Sequence, residues 1–141
     1  MKALYLETSA LARAYVEKDV EVHEALQRAR RGCQLFTSAL TEVEMRRAVL
    51  RLLGGGKLSS GEAAAALGDV LKLLAHADVL PLGQAVLARA GDVFPGNLRS
   101  LDALHVATAV LVQHAGAEQV VMFSRDNRVR QNAAALGMVL A

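Results

Sequence analysis

Four acidic side chains lie where the surrounding sequence gives them a chemical rather than a solvating role. Glu7 ends a short apolar run, and Asp126 lies just beyond another. Glu44 lies in the first turns of a predicted helix, and Asp102 interrupts an otherwise apolar one. Carboxylate oxygens select hard cations such as Mg²⁺ or Mn²⁺. A cation held by carboxylates in an open site suits hydrolysis of a phosphodiester, because it activates water and stabilises the displaced oxygen.

Each of these acids also has an ordinary structural interpretation. Thr41 and Glu44 have the spacing of a capping box, and Asp102 lies in a first helical turn, where the macrodipole favours an anion. Asp126 can cap a helix, and Glu7 can cap or solvate the end of a strand. Four carboxylates at one place repel one another unless some are protonated or a cation binds. Convergence of all four would therefore favour the metal site.

The elements that must position these acids follow from the apolar runs and the helix breakers. The predicted strands are 2–6, 34–37, 78–80, 119–123 and 138–140. The predicted helices are 10–17, 20–31, 40–53, 59 or 60 to about 75, 85–93, 100–114 and 127–136. This alternation predicts an α/β fold in one domain, 1–141, with a parallel sheet of about five short strands between helices. Because strand ends and following helix starts share one edge of such a sheet, the four acids are expected at one rim.

Composition and charge narrow the function classes. The 141 residues are 53% hydrophobic and 4% aromatic, which excludes intrinsic disorder and predicts an aliphatic core. No apolar run reaches the length of a membrane span, and the apolar start is too short for a signal peptide. The single cysteine, Cys33, cannot form an internal disulfide, and we expect a reducing, cytoplasmic environment.

Arginine is the dominant cation, with 12 Arg against 4 Lys and a net charge of +2. Three clusters occur, at positions 28, 30 and 31, at 46, 47 and 51, and at 125, 128 and 130. The guanidinium fork suits phosphate, although a solvated helix face explains each cluster equally well. Arg125 and Arg128 flank Asp126, and we expect them to hold a nucleic-acid backbone.

Other motifs that carry chemistry are absent. The glycines at 54–56 precede Lys57, but they follow a helix and Leu58 comes next, so they do not form a phosphate-binding loop. No Cys and His residues have zinc spacing, and no Gly-x-Ser-x-Gly elbow is present. His105 shares a helical face with Asp102, where a lone histidine is more often a packed or hydrogen-bonded residue.

Four segments in sequence order carry a family resemblance: YLETSALARAYV, TSALTEVEMRRAV, SLDALHVATA and FSRDNRVRQNAAALG. They resemble the PIN-domain ribonucleases, and within them the small VapC-like toxins of toxin–antitoxin operons. The resemblance covers essentially the whole chain. It implies a PIN-like fold and a metal-dependent endoribonuclease that hydrolyses RNA and acts as the toxin of its pair.

The resemblance also assigns the site residues. The acidic positions of the family fall on Glu7, Glu44, Asp102 and Asp126, as catalytic residues and as ligands of one or two Mg²⁺ or Mn²⁺ ions. Ser9 and Ser124 fall at supporting polar positions. The implied partners are RNA, a second copy of the chain in a homodimer, and an antitoxin. The antitoxin is expected to insert a peptide at the acidic rim, with a basic side chain among the carboxylates.

One departure from the family pattern keeps an alternative open. The first acid of the family is usually Asp, and the extra methylene of Glu7 moves the carboxylate by roughly 1.5 Å. Mg²⁺ demands near-ideal octahedral geometry, so a PIN-like domain that binds RNA or a protein with poor cleavage is the rival hypothesis. A phospho-acceptor signalling domain would need a lysine near the last strands, and no lysine follows Lys72. A purely structural domain leaves Asp102 unexplained.

Overall fold

The computed structural model describes residues 1–141 as strands and helices that alternate along the chain. The strands are β1 (Lys2–Leu6), β2 (Cys33–Ser38), β3 (Ala77–Leu80), β4 (Gln119–Phe123) and β5 (Val139–Leu140). The helices are α1 (Thr8–Leu11), which continues as a π-helix over Ala12–Val16, α2 (Val20–Ala29), α3 (Ala39–Gly54), α4 (Ser60–Leu74), α5 (Gln84–Ala90), α6 (Ser100–His114) and α7 (Asn127–Ala135). The predicted α/β fold is confirmed, and β1, β4 and α6 have the predicted bounds.

The sheet is entirely parallel, with the strand order β3-β2-β1-β4-β5. The central strand β1 is buried on both faces, because successive side chains alternate between two apolar cores. Leu4 and Leu6 belong to a core shared with helices α1 to α4. Ala3 and Tyr5 belong to a second core shared with α6 and α7. The end of β1 therefore lies in the middle of the carboxyl edge of the sheet.

The first helix differs from its predicted start for a local reason. Glu7 itself caps α1, because its side chain accepts a hydrogen bond from the backbone N–H of Ser9. The helix consequently begins at Thr8, two residues before the predicted start. It ends in the π-helix, where the N–H of Glu17 donates to the carbonyl of Ala12. π-Helical turns are rare in proteins, and those that do occur are often found at functional sites.

The start of α3 decides between two interpretations of Glu44. Ser38 is the N-cap of this helix, and its hydroxyl accepts from the N–H of Leu40. Thr41 is therefore inside the helix, buried, and its hydroxyl accepts from Thr37. The capping box of Thr41 and Glu44 is thus wrong, and the carboxylate of Glu44 is free for other contacts.

Helix α6 is apolar on most of its surface because it packs against the sheet and neighbouring helices. Its residues from Ala103 to Val112 are largely buried. Asp102 stands in its first turn, and His105 follows on the same face one turn later. None of the helices in the chain combines the length and the apolar composition that a membrane-spanning segment requires.

Candidate active site

The fold brings the four predicted acids to one region at the carboxyl edge of the sheet. Glu7 follows β1, Asp126 follows β4, and Glu44 and Asp102 lie near the starts of α3 and α6. Burial raises the pKa of Asp102, and the negative charges of the other three acids raise it further. The other three acids therefore lie near enough to Asp102 to influence its pKa.

Glu7 is the most enclosed of the four, with only 4% of its surface exposed. Its Oε2 accepts hydrogen bonds from the backbone N–H of Ser9 at 3.1 Å and from the hydroxyl of Ser124 at 2.7 Å. The hydroxyl of Ser9 donates to the same oxygen. The two serine hydroxyls also accept hydrogen bonds from the backbone that follows β4. The N–H of Arg125 donates to Ser9, and the N–H of Asp126 donates to Ser124. Both predicted supporting serines thus hold one oxygen of Glu7 in place.

The second oxygen of Glu7 has no hydrogen-bond partner in the protein. Oε1 accepts no hydrogen bond from the protein, whereas all three donors converge on Oε2. Every fully buried side-chain oxygen in the chain has a hydrogen-bond partner. Oε1 must therefore reach the solvent-filled side of the site, even though the residue as a whole is buried.

Glu44 is held by two different elements. Its Oε1 accepts from the hydroxyl of Thr8 at 2.6 Å and from Nε2 of His105 at 2.5 Å. Burial raises the pKa of Glu44, but the hydrogen bonds from His105 and Thr8 outweigh burial and hold the pKa below its ordinary value. The carboxylate is therefore kept ionised, with Oε2 uncommitted.

Asp102 and Asp126 line an open cleft of about 370 Å³ that contains no hydrophobic side chain. The lining residues are Arg99, Asp102, Arg125, Asp126, Asn127 and Arg128. Asp126 also caps α7, because its Oδ1 accepts from the N–H groups of Arg128 and Val129 at 2.9 and 3.0 Å. The capping role predicted for Asp126 as the alternative therefore coexists with its place in the cleft, and Oδ2 stays uncommitted.

The arginines that line the cleft, together with the nearby Arg130, divide into two kinds. Arg125 and Arg130 each donate to the carbonyl oxygens of Ser124 and Ala141, at distances of 2.7 to 3.0 Å. They tie β4 to the last residues of the chain. The guanidinium groups of Arg99 and Arg128 make no hydrogen bond or ion pair with the protein. The free cations of the cleft are therefore Arg99 and Arg128.

Sequence analysis missed three residues at this site: Arg99, Thr8 and Tyr5. Arg99 stands outside the three arginine clusters, and its only sequence signal is its position three residues before Asp102. Thr8 lies between the predicted strand 2–6 and the predicted helix 10–17, and its hydroxyl donates to Glu44. Tyr5 was counted as part of a buried strand, although its hydroxyl contacts Nδ1 of His105 at 2.9 Å.

The donor chemistry of the site fits a hard cation, but its spacing does not form a closed cage. No three acidic, histidine or cysteine side chains lie close enough to enclose a metal ion as placed. Mg²⁺ is typically bound through one or two carboxylates and keeps several of its waters. The uncommitted oxygens of Glu7, Glu44 and Asp126 suit that partly hydrated mode of binding.

Comparisons with known proteins identify the family and the fold. Residues 4–135 match the model of the PIN domain family. The chain is similar to Ribonuclease VapC46 of Mycobacterium tuberculosis (strain ATCC 25618 / H37Rv), with 36% identity over 99% of this chain and 97% of that protein. The same fold occurs in FitAB bound to an IR36 DNA fragment, with a TM-score of 0.66 at 20% identity, covering 100% of this chain and 94% of that one. It also occurs in VapBC2 from Rickettsia felis bound to a promoter DNA fragment, with a TM-score of 0.61 at 13% identity, covering 100% and 98%.

Proposed function

The chain belongs to the PIN domain family, and from this premise we propose that it is an endoribonuclease that acts as the toxin of a toxin–antitoxin pair. The observation that carries the proposal is the end-to-end similarity to a protein named Ribonuclease VapC46. The placement of four carboxylates at one sheet edge supports it independently, since that edge is where ligands bind in parallel α/β sheets. RNA is the substrate, and the phosphodiester is the bond that is hydrolysed.

Glu7, Glu44, Asp102 and Asp126 are the proposed ligands of one or two Mg²⁺ or Mn²⁺ ions. When bound, such a cation supplies an activated water and stabilises the charge of the displaced oxygen. The protein contributes preorganisation: the serines fix one oxygen of Glu7, and Thr8 with His105 fixes one oxygen of Glu44. In each case the opposite oxygen is left free.

Arg99 and Arg128 are the proposed contacts to the RNA backbone. Their guanidinium groups line the cleft beside Asp102 and Asp126 and have no protein partner to give up. A guanidinium binds a phosphate through two parallel hydrogen bonds. Two such groups next to the acids would hold the phosphates that flank the bond to be cleaved. Arg125 was predicted for this role, but its guanidinium group donates hydrogen bonds to the backbone carbonyls of Ser124 and Ala141.

The cognate antitoxin is proposed to bind at the same edge. Its basic side chain would enter among the four carboxylates and neutralise the repulsion that raises the pKa of Asp102. We further propose that the toxin is a homodimer and acts in the cytoplasm, as expected from the family resemblance. Occupation of the cleft by an antitoxin would exclude the RNA phosphates from Arg99 and Arg128.

The test is cleavage of RNA by the purified chain. We expect cleavage with Mg²⁺ or Mn²⁺ that stops when EDTA is added, and we expect Asp102→Asn to abolish it while the protein stays folded. Cleavage that persists in EDTA would refute the metal-dependent mechanism. The rival hypothesis, a weakened PIN-like domain, is favoured by Glu7. It predicts RNA binding without cleavage under either metal.

A further inference from the structure

His105 is a buried histidine, and both of its ring nitrogens lie within hydrogen-bonding distance of a neighbouring group. The proposed reaction does not use it directly. It lies in α6, and no part of its surface is exposed. Its two ring nitrogens contact different elements. Nε2 lies 2.5 Å from Oε1 of Glu44, and Nδ1 lies 2.9 Å from the hydroxyl of Tyr5. The rings of Tyr5 and His105 meet edge to face, with centroids 6.0 Å apart.

The direction of each hydrogen bond follows from the chemistry of the groups. An ionised carboxylate only accepts, so Nε2 of His105 must carry the hydrogen that points at Glu44. In a neutral imidazole the other nitrogen then lacks a hydrogen and accepts. With the imidazole neutral, the hydroxyl of Tyr5 donates to Nδ1. The result is a series of two hydrogen bonds that run in one direction, from Tyr5 to His105 and from His105 to Glu44.

Hydrogen bonds from two other elements fix the flexible side chain of Glu44. Glu44 is on α3, His105 is on α6, and the second donor, Thr8, is on α1. All of these hydrogen bonds end on Oε1, which leaves Oε2 as the oxygen available to a ligand. Partners that hydrogen-bond a ligand side chain set its orientation, and their loss typically lowers metal affinity by roughly tenfold to a hundredfold.

We propose that His105, held in one tautomer by Tyr5, is a positioning residue that aims the carboxylate of Glu44 into the active site. This inference rests on the proposed function, because it takes Glu44 to bind the catalytic cation. His105 touches neither the cation nor the RNA in this arrangement, and it acts only through Glu44. Tyr5 acts one residue further from the site, through its hydrogen bond with Nδ1 of His105.

Binding of Mn²⁺ is the first measurement, because it reports on Glu44 without requiring cleavage. We expect His105→Leu to weaken Mn²⁺ binding about tenfold or more, and we expect Glu44→Gln, which changes the proposed ligand itself, to weaken it as well. His105→Gln keeps an N–H donor near the position of Nε2 and should recover part of the affinity. Tyr5→Phe removes only the hydroxyl and should weaken binding by a smaller factor. Tyr15→Phe is the matched control, since Tyr15 packs edge to face on His23, away from the acids, and should bind Mn²⁺ normally.

The tautomer of His105 is the second measurement, because it tests the direction of the hydrogen bonds on which the inference rests. Nitrogen NMR of the metal-free protein should show the hydrogen on Nε2 in the wild type and a mixture of tautomers in Tyr5→Phe. This readout holds even where His105→Leu fails to fold. A hydrogen on Nδ1 in the wild type, or unchanged Mn²⁺ affinity in a folded His105→Leu, would overturn the inference. A wild type that neither binds Mn²⁺ nor cleaves RNA would overturn the proposed function and this inference with it.

Discussion

Glu7 has one methylene more than the aspartate usual at its position, and its side chain folds back to reach Ser9. The backbone N–H of Ser9 is two residues ahead, which is the contact an aspartate cap makes naturally. Glu7→Asp should keep this cap and draw the free oxygen back toward the usual position. We therefore expect Glu7→Asp to bind Mg²⁺ more tightly and to cleave RNA faster than the wild type. Mn²⁺ should show a smaller difference, because it is less exacting in its geometry.

Glu7→Gln is the matching substitution, because it removes the negative charge and keeps the length of the side chain. Glu7→Gln keeps an oxygen for Ser9 and Ser124 but loses the negative charge, so we expect an inactive protein with nearly normal thermal stability. Cleavage rates for both variants with each metal decide the matter. Slower cleavage by Glu7→Asp with both metals would mean that the site has adapted to glutamate. Full activity of Glu7→Gln would remove Glu7 from the ligands.

Arg99 and Arg128 make a second prediction at the scale of single side chains. Each contact between a cation and a phosphate releases counterions, so losing one weakens binding and flattens its salt dependence. Arg99→Gln and Arg128→Gln should therefore reduce RNA affinity across unrelated sequences, and the salt slope should fall by about one for each. Arg31→Gln is the control, because Arg31 is exposed and precedes β2, at the opposite edge of the sheet. A salt slope unchanged in Arg99→Gln would return this arginine to a solvated surface role.

Asp126 connects the chemistry of the site to the stability of one helix. Its Oδ1 caps α7 by accepting from two backbone N–H groups. Asp126→Ala removes the cap and should lower the free energy of unfolding by about 1 kcal/mol. Asp126→Asn keeps an oxygen at the cap and removes one of the charges that repel Asp102, so its stability should be no lower than that of the wild type. Both variants should lose RNA cleavage if the free oxygen binds the cation.

Chemical denaturation and RNA cleavage, measured on the same two variants, separate the roles of Asp126. Full cleavage by Asp126→Asn would leave Asp126 as a cap alone. Equal stability of Asp126→Ala and the wild type would contradict the cap.

At the scale of elements, local pattern predicted most of the secondary structure. Strands β1 and β4 are short apolar runs bounded by polar residues, and α6 is bounded by Ser100 and by Gly116, so their limits are visible in sequence. The start of α1 was predicted two residues late, because several polar residues at 7–9 can cap a helix and the structure uses the first of them, Glu7. The π-helix that follows was not foreseen, since no residue type marks it.

The contacts that organise the site could not be predicted because they join distant parts of the chain. Tyr5 and His105 are 100 residues apart, and Glu44 and His105 are 61 apart. Their packing depends on how α3 and α6 meet around β1, and periodicity does not encode this. The rim of acids was predictable for a different reason. Parallel topology alone sends every strand end, and the helix start that follows it, to one edge.

At the scale of the whole molecule, the fold gathers negative charge from four elements into one small region. Glu7, Glu44 and Asp126 all act on Asp102, so folding brings together charges that the unfolded chain keeps apart. Part of this cost is offset at single residues, by the hydroxyls and the histidine that hold Glu7 and Glu44. Asp102 has less compensation, because no hydrogen bond contributes to its pKa, and the attraction of a helix N-terminus and of His105 is outweighed by burial and the other acids. The site therefore costs the metal-free protein stability.

Neutralising Asp102 should make the metal-free protein more stable. Burial and the neighbouring acids raise the pKa of Asp102 above its unfolded value. The folded state then binds the proton more tightly, so the cost is complete at neutral pH and fades as the pH falls through the raised pKa toward about pH 4. In EDTA at pH 7 we expect Asp102→Asn to melt a few degrees above the wild type, with the gap closing in acid. Added Mn²⁺ should raise the melting temperature of the wild type more than that of the variant. The exposed Glu24→Gln should change neither result. An Asp102→Asn protein that melts below the wild type in EDTA at pH 7 would mean that the four carboxylates do not repel one another as the fold places them.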